Sequence, residues 1–538
     1  MPPVKDRFLS DCNDCHTPES GKTDHLPANS FSFAGQLFSS GFCGNLHLAN
    51  GGGSTDNSNQ SSPDLNTSSD MISAELIQQL KSLRQEHLLA DLDDLPEDLL
   101  AAYSCQLEQL DLSLLPRLIA QARASREAGR NHLTSPVDAA LPPRHRIKLD
   151  PDPEVVRRAR KEGERLLHAG KVAALLVAGG QGTRLGHTLP KGMFPISPVM
   201  EKSLFQLLSE QVLARSRAAG RQIPYFIMTS EATHLLTVTF FQENNYFGLD
   251  PASVHFFQQG TMPAVDAETG KVLLAGIGRI ASSPDGHGGV LTALKRAGHF
   301  DLMRQLGVEY LYYHQVDNPH AIVLGPEFLG HHSLNDADVS TKVVRKLTPE
   351  EKMGVMVEID DVPQIIEYSD LPLEVASRRT ADGELELWAG STAMHVFSVP
   401  FLERFVAQGA DLPYHIAFKT VPYWEGSGLV EPREPNAFKF EKFIFDVIPH
   451  SRKSLVVETS REREFNPVKN AVGINSPEHV RRTLSDQYRG WVQEITGPLP
   501  EDLFLEISPL FAVDEAEWTR RAISHPKPQH LRTGWYWG

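Results

Sequence analysis

One segment constrains this chain more than any other: Val177-Ala178-Gly179-Gly180-Gln-Gly182-Thr-Arg184-Leu-Gly186-His-Thr-Leu-Pro190-Lys191. It ends a continuous apolar run, residues 172–178, of the kind that forms a strand buried on both faces. Four glycines in eight residues let backbone N–H groups approach a phosphate chain closely. Arg184 and Lys191 add the positive charge that a polyphosphate needs. Two common phosphate loops do not fit. Leu185 stands where G-x-G-x-x-G requires its last glycine, and no G-K-[ST] is present. A plain strand-to-helix turn needs fewer glycines and neither cation, so the segment is read as a phosphate-binding loop.

The surrounding pattern supplies the scaffold. Strand candidates at 223–229, 254–258, 310–316, 339–344, 354–359 and 364–368 alternate with helical stretches such as 203–219 and 232–244. This predicts a largely parallel α/β sheet covered on both faces. Residues 440–448 and 455–458 are expected as later strands. The expected organisation is a helical N-terminal domain and connector at 71–150, a central domain at 151–446, and a small, mostly β C-terminal domain at 447–538. Residues 1–70 hold 12 Ser, 7 Gly, 7 Asn and 5 Pro, a composition expected to stay disordered. Within them, Cys12-Asn-Asp-Cys15-His16 matches a haem c attachment spacing and is read as a chance pattern.

Composition excludes several classes. Net charge is -16 with a pI near 5.8, which argues against a nucleic-acid binder. No stretch approaches the roughly 18 apolar residues of a membrane span. The four cysteines, Cys12, Cys15, Cys43 and Cys105, exclude a disulfide scaffold and point to a reducing compartment, expected to be the cytoplasm.

The loop G-G-x-G-T-R-L-G-x-x-x-P-K resembles the signature of the nucleotidyltransferases that make nucleotide sugars. More narrowly, the chain resembles the UDP-N-acetylhexosamine pyrophosphorylases of the UDP-glucose pyrophosphorylase superfamily. Ordered matches run from Gln85-Glu-His-Leu-Leu to Glu506-Ile-Ser-Pro-Leu510. They include Phe256-Phe-Gln-Gln-Gly260, Pro284-Asp-Gly286, Val316-Asp317-Asn318, Glu367-Tyr368-Ser369, Ala389-Gly390 and Phe443-Ile-Phe-Asp446. The resemblance implies a doubly wound, Rossmann-like and GT-A-like mixed sheet. It implies the reaction UTP plus sugar 1-phosphate giving UDP-sugar and pyrophosphate, with Mg²⁺ as cofactor. By the same resemblance Val177, Ala178, Gly179 and Gly180 line the nucleotide, and Arg184 and Lys191 hold its phosphates. Gln259 reads the uracil, Gly286 lies against the nucleotide, Lys439 contacts it, and Asp317 binds Mg²⁺. Lys469 meets the sugar phosphate, and closure of the C-terminal region over the site is expected to bring it there.

Around the sugar the pattern departs from the family. Gly354, Glu367 and Tyr368 match it, but His287 and Ser391 each stand where the N-acetylglucosamine enzymes carry Asn. Gly286-His-Gly288 is reminiscent of the UDP-glucose and broad-range UDP-sugar branches. N-acetylglucosamine 1-phosphate is the leading expectation, with glucose 1-phosphate or a broad range as the alternative. A non-catalytic UDP-sugar binding homologue and a guanylyl- or adenylyl-specific transferase stand behind it. The tail Trp535-Tyr-Trp-Gly538 carries no reading.

Overall fold

A computed structural model describes residues 72–128, 137–426, 428–523 and 533–538. The expectations for residues 1–70, Cys12-Asn-Asp-Cys15-His16 included, lie outside the described residues.

The apolar runs form one mixed sheet of ten strands among the described residues. In chain order they are β1 (Arg146–Ile147), β2 (Val172–Val177), β3 (Tyr225–Thr229), β4 (Val254–Gln258), β5 (Tyr310–Gln315), β6 (Val339–Arg345), β7 (Val355–Ile359), β8 (Val362–Ile366), β9 (Ala389–Ser398) and β10 (Ser454–Glu458). The spatial order is β1-β10-β6-β9-β5-β2-β3-β4, and the β7–β8 hairpin joins β9 through β7. β9 runs antiparallel to both β5 and β6, whereas β5, β2, β3 and β4 are mutually parallel.

Alternate residues of β2 enter different cores. Val172, Ala174 and Leu176 pack with helices Leu204–Ala219 and Pro477–Thr496, while Ala173 and Leu175 pack with Val290–Arg296 and Val399–Ala407. The fold is therefore mixed α/β with helices on both faces of the sheet. The chain goes outward from β2 to β3 and β4, then returns to β5 on the other side of β2. In open α/β sheets ligands bind outside the strand carboxyl ends at such a reversal. Here the two ends are in register, Gln315 opposite Val177, so the loops after β2 and β5 start side by side.

The N-terminal helices Ala74–Ser82, Glu97–Glu108 and Leu115–Ala128 share a core with a three-stranded sheet of Val265–Asp266, His415–Lys419 and Ala437–Glu441. Gln85 is buried there. Its Oε1 accepts from Val272 N–H at 2.9 Å and its Nε2 donates to Gly270 O at 3.0 Å.

Two expectations are overturned. The strand expected at 440–448 ends at Glu441, and Ile444–His450 is a 3₁₀ helix. Lys442 breaks the ladder because its N–H turns to Asp285 O at 2.7 Å. The C-terminal region is mostly helical, not mostly β. Its longest element, Pro477–Thr496, is capped by Ser476 and buries Val480, Leu484, Tyr488 and Trp491, a spacing of three to four residues that marks one helical face. β10 belongs to the main sheet, and Trp535–Trp537 pairs in parallel with Leu505–Ile507. Tyr536 Oη accepts from Lys202 Nζ at 3.0 Å, and Lys202 is ion-paired to Glu210 at 2.6 Å. The terminal aromatics thus fasten the chain end to the helix that follows the glycine loop.

Candidate active site

The glycine loop is closed largely by backbone contacts. Ala178 donates its N–H to Met228 O at 2.8 Å, which carries the β2–β3 ladder one residue past β2. The loop then folds back on itself. Gly182 N–H bonds to Leu189 O and Lys191 N–H to Gly180 O, both at 3.1 Å. This returns Lys191 to the strand end it left. Its Nζ lies 3.5 Å from Asp317 Oδ2, each side chain being 16% exposed. Asp317 enters from the neighbouring strand, two residues after β5. Arg184 sits on the exposed outer turn of the loop, Thr183–Leu185.

Next to it lies the corner formed by Gln259 and Gly286. Gln259 follows β4, is 7% exposed, and donates its N–H to Thr229 O at 2.9 Å. A Cβ on Gly179 would stand 2.4 Å from Gln259 Oε1, so only glycine lets this side chain lie across the loop. Behind Gln259 is Asp285, whose carboxyl burial pushes up to about 6, against the pull of Lys442, Arg296 and Gln259. Gly286 has φ +86°, and a Cβ there would meet Lys442 O at 2.4 Å. Gly288 N–H also bonds to Lys442 O, at 2.8 Å. Lys439 lies on the adjacent strand, half-buried, alternating with Phe438 and Phe440, which face the helical core.

Gly354, Glu367 and Ser391, expected around the sugar, gather at the β7–β9 edge. Ser391 N–H bonds to Gly354 O at 2.8 Å, and the Cβ position of Gly354 is 3.1 Å from Glu367 Oε2. Ser391 Oγ accepts from Ala393 N–H at 3.3 Å, within a bulged strand. Burial pushes the Glu367 carboxyl up to about 7, with Lys469 opposing and Asp370 adding to the shift. Tyr368 is 46% exposed. His287 stacks on Phe443 at 5.1 Å, and its Nδ1 is 3.2 Å from Ile444 N–H. A backbone N–H can only donate, so Nδ1 accepts and the ring proton sits on Nε2. Burial, then the positive His415, lowers this imidazole to about 4, so it is neutral.

The two ends are joined by the segment that carries Lys469. Val468 N–H bonds to Asp317 O at 2.7 Å, Asn318 Nδ2 donates to Glu464 O at 2.7 Å, and Asn466 N–H bonds to Asn318 Oδ1 at 3.2 Å. The segment is docked on the β5 loop, and the Lys469 charge acts on the Glu367 carboxyl.

Four polar residues here escaped the sequence reading as site residues. Asp285 and Asp446 lay within matched motifs but were given no role. His415 and Asp370 carried no signal, because what distinguishes them is a contact 45 residues apart in the chain.

The sequence profile of the UTP–glucose-1-phosphate uridylyltransferase family matches residues 117–517. The human UDP-N-acetylhexosamine pyrophosphorylase-like protein 1 is 39% identical over 427 residues, 77% of this chain and 84% of the human protein. The UDP-N-acetylglucosamine pyrophosphorylase of Saccharomyces cerevisiae is 35% identical over 350 residues, covering 63% of this chain and 73% of the yeast protein. The crystal structure of the Trypanosoma brucei UDP-N-acetylglucosamine pyrophosphorylase superposes with a TM-score of 0.72 at 24% identity, over 89% of this chain and 99% of that one. With a profile match across most of its length and a relative at this identity, the chain belongs to the UTP–glucose-1-phosphate uridylyltransferase family.

Proposed function

We propose that the protein is a UTP-dependent nucleotidyltransferase that joins UTP to N-acetylglucosamine 1-phosphate, releasing pyrophosphate, on a GT-A-like doubly wound sheet. The observation that carries this reading is the Lys191–Asp317 pair, 3.5 Å apart at the aligned ends of β2 and β5, directly beneath the glycine loop. Lys191 supplies a cation for the triphosphate, and the loop's backbone N–H groups meet its oxygens. Arg184, exposed on the loop, swings onto the leaving pyrophosphate. Val177, Ala178, Gly179 and Gly180 form the floor under the nucleoside. Gln259 and Gly286 face the uracil edge, with Lys439 beside them.

The sugar 1-phosphate enters from the Gly354–Glu367–Ser391 edge, where Glu367 and Tyr368 meet its hydroxyls and Lys469 its phosphate. The phosphate oxygen of the sugar attacks the α-phosphorus in line, and no covalent intermediate is needed. Catalysis is then orientation and charge stabilisation.

Asp317 fits a nucleotide-borne Mg²⁺. No group of three or more His, Cys, Asp or Glu side chains suited to a metal occurs among the described residues. Asp317 would be the protein ligand, with phosphate oxygens and water completing the shell. When bound, the ion would neutralise phosphate charge.

The choice of N-acetylglucosamine over glucose rests on the relatives at 35–37% identity that carry that sugar in their names. His287 supports it physically, because its Nε2–H is a neutral donor as an Asn amide would be. Cysteine usage favours a cytoplasmic setting, and among the described residues no helix is long and apolar enough to cross a membrane. Pyrophosphate release from UTP and Mg²⁺ with each of the two sugar phosphates tests the proposal. Release with N-acetylglucosamine 1-phosphate supports it. Tight UDP-sugar binding without release, or release only with GTP, refutes it.

A further inference from the structure

His415, on the strand His415–Lys419, lies between two carboxylates. Its Nε2 is 2.9 Å from Asp446 Oδ2, and its Nδ1 is 3.3 Å from Asp370 Oδ2. A carboxylate only accepts, so two such contacts call for a proton on each ring nitrogen. The aromatic rings of Phe443, 4.4 Å away, and Phe445, 6.3 Å away, flank the imidazole. Asp370 closes a turn with Glu367, its N–H bonding to Glu367 O at 2.9 Å. Three separate segments therefore meet at one imidazole, and one of them carries the carboxylate assigned to the sugar.

We propose that His415 is a positioning residue for sugar recognition: clamped between Asp370 and Asp446, it fixes the Glu367–Asp370 turn and holds the Glu367 carboxylate ready to accept from the sugar hydroxyls. The proposal rests on the reading that Glu367 faces the sugar.

The charges around the cluster support it. Burial alone would drive His415 neutral, but Asp370 and Asp446 outweigh burial and raise it to about 9, so it stays charged through neutral pH. Around Glu367, Lys469 and His415 favour the ionised form, whereas burial, Asp370 and Asp446 oppose it. Glu441 is the cross-strand partner of His415, and His287 nearby is held neutral by burial and by the charge on His415. Without His415 the remaining carboxylates would protonate Glu367 at higher pH.

The test is kcat/KM for N-acetylglucosamine 1-phosphate across roughly pH 5 to 9, at saturating UTP, in the parent and three variants. The phosphate of the substrate titrates near ~6, identically in every variant, so differences between variants belong to the protein. Glu367→Gln is expected to raise the sugar KM and abolish the limb near pH 7. His415→Gln should move that limb to higher pH and raise the sugar KM about tenfold, with KM for UTP within about twofold of the parent. Asp446→Asn removes a like charge and should move the limb to lower pH over the range in which Asp370 keeps His415 charged. A purely structural role would lower activity without shifting the limb in opposite directions.

Loss of sugar affinity in Glu367→Gln with an unmoved limb in His415→Gln overturns the role of His415 alone. An unchanged sugar KM in Glu367→Gln overturns the placement of Glu367 and this proposal with it. Thermal melting identifies any variant that does not fold, and His415→Asn, expected to shift the limb in the same direction, replaces His415→Gln in that event.

Discussion

The end of the site proposed for phosphate and the end proposed for sugar are built by different means. The phosphate end is a contiguous loop, closed by its own backbone hydrogen bonds between Gly180 and Lys191, with one side chain, Asp317, brought from the adjacent strand. The end proposed for the sugar is assembled from residues of separate segments: the backbone of Gly354 and the side chains of Glu367 and Asp370, Ser391, His415, Asp446 and Lys469. Backbone donors do not titrate and do not depend on neighbouring charge. A buried cluster of carboxylates around an imidazolium depends on both. The first end should therefore fail through loss of one group or through steric change, and the second through pH and charge.

The largest effect is expected from Lys191→Ala. Removing a preorganised cation from a site of developing phosphate charge should lower kcat/KM by about 10²–10³, read as pyrophosphate release at several UTP concentrations. A loss under about tenfold would mean that Arg184 carries the triphosphate, and that the exposed outer turn of the loop matters more than its closed base.

Gly179→Ala comes next. The new methyl would sit 2.4 Å from Gln259 Oε1, so the amide must rotate away from its place across the loop. One or two hydrogen bonds to the base would be lost, and KM for UTP should rise about tenfold while KM for the sugar phosphate stays put. An equal rise in both constants would show that the two ends are not separable in this way.

A smaller effect concerns stability and pH. The Asp285 carboxyl is raised to about 6 by burial, against ~3.9 in an unfolded chain. The folded state therefore binds this proton more tightly. The sign follows from linkage: stability contributed by the protonated form is present below about pH 4 and is lost as pH rises to about 6. Asp285→Asn keeps the shape without the charge. Its melting temperature relative to the parent should be higher by roughly 1–3 °C at pH 7 than at pH 4. Differential scanning fluorimetry at the two pH values reads it, and a gap of the opposite sign would place Asp285 in a stabilising ion pair instead.

How much of this could be read from the sequence follows the same division. The glycine loop, the apolar run of β2 and Asp317 were legible because each is a local pattern, and the alternation of strands and helices gave the sheet. Lys191 was legible as a cation in a loop, but its approach to Asp317 comes from register between β2 and β5. The strands of the C-terminal region are contiguous apolar runs and show in sequence, whereas the helical face of Val480, Leu484, Tyr488 and Trp491 is spread among charged and polar residues. The Trp535–Trp537 strand was opaque because its partners, Leu505–Ile507 and Lys202, lie far away in the chain. His415, Asp370 and Asp446 were illegible as a unit for the same reason. Lone His and Asp residues in sequence are most simply solvated, and only the fold makes them a cluster.

The smallest effect expected is at His287, which stands where the family resemblance implies an Asn. The ring accepts Ile444 N–H on Nδ1, which leaves Nε2–H as its one donor. An Asn at this position could give its carbonyl oxygen to Ile444 and its amide to the substrate, so donor count and charge are unchanged. The shorter side chain loses the stacking on Phe443, which affects both sugars alike. His287→Asn should therefore change the ratio of kcat/KM for N-acetylglucosamine 1-phosphate over glucose 1-phosphate by less than about threefold. A site that rejects one sugar by leaving a hydrogen-bonding group unpaired discriminates far more strongly, by up to about 10⁴. A ratio change beyond about tenfold would therefore mean that the imidazole reaches a group present on only one of the two sugars, and sugar choice would then rest on this residue rather than on the Glu367 cluster.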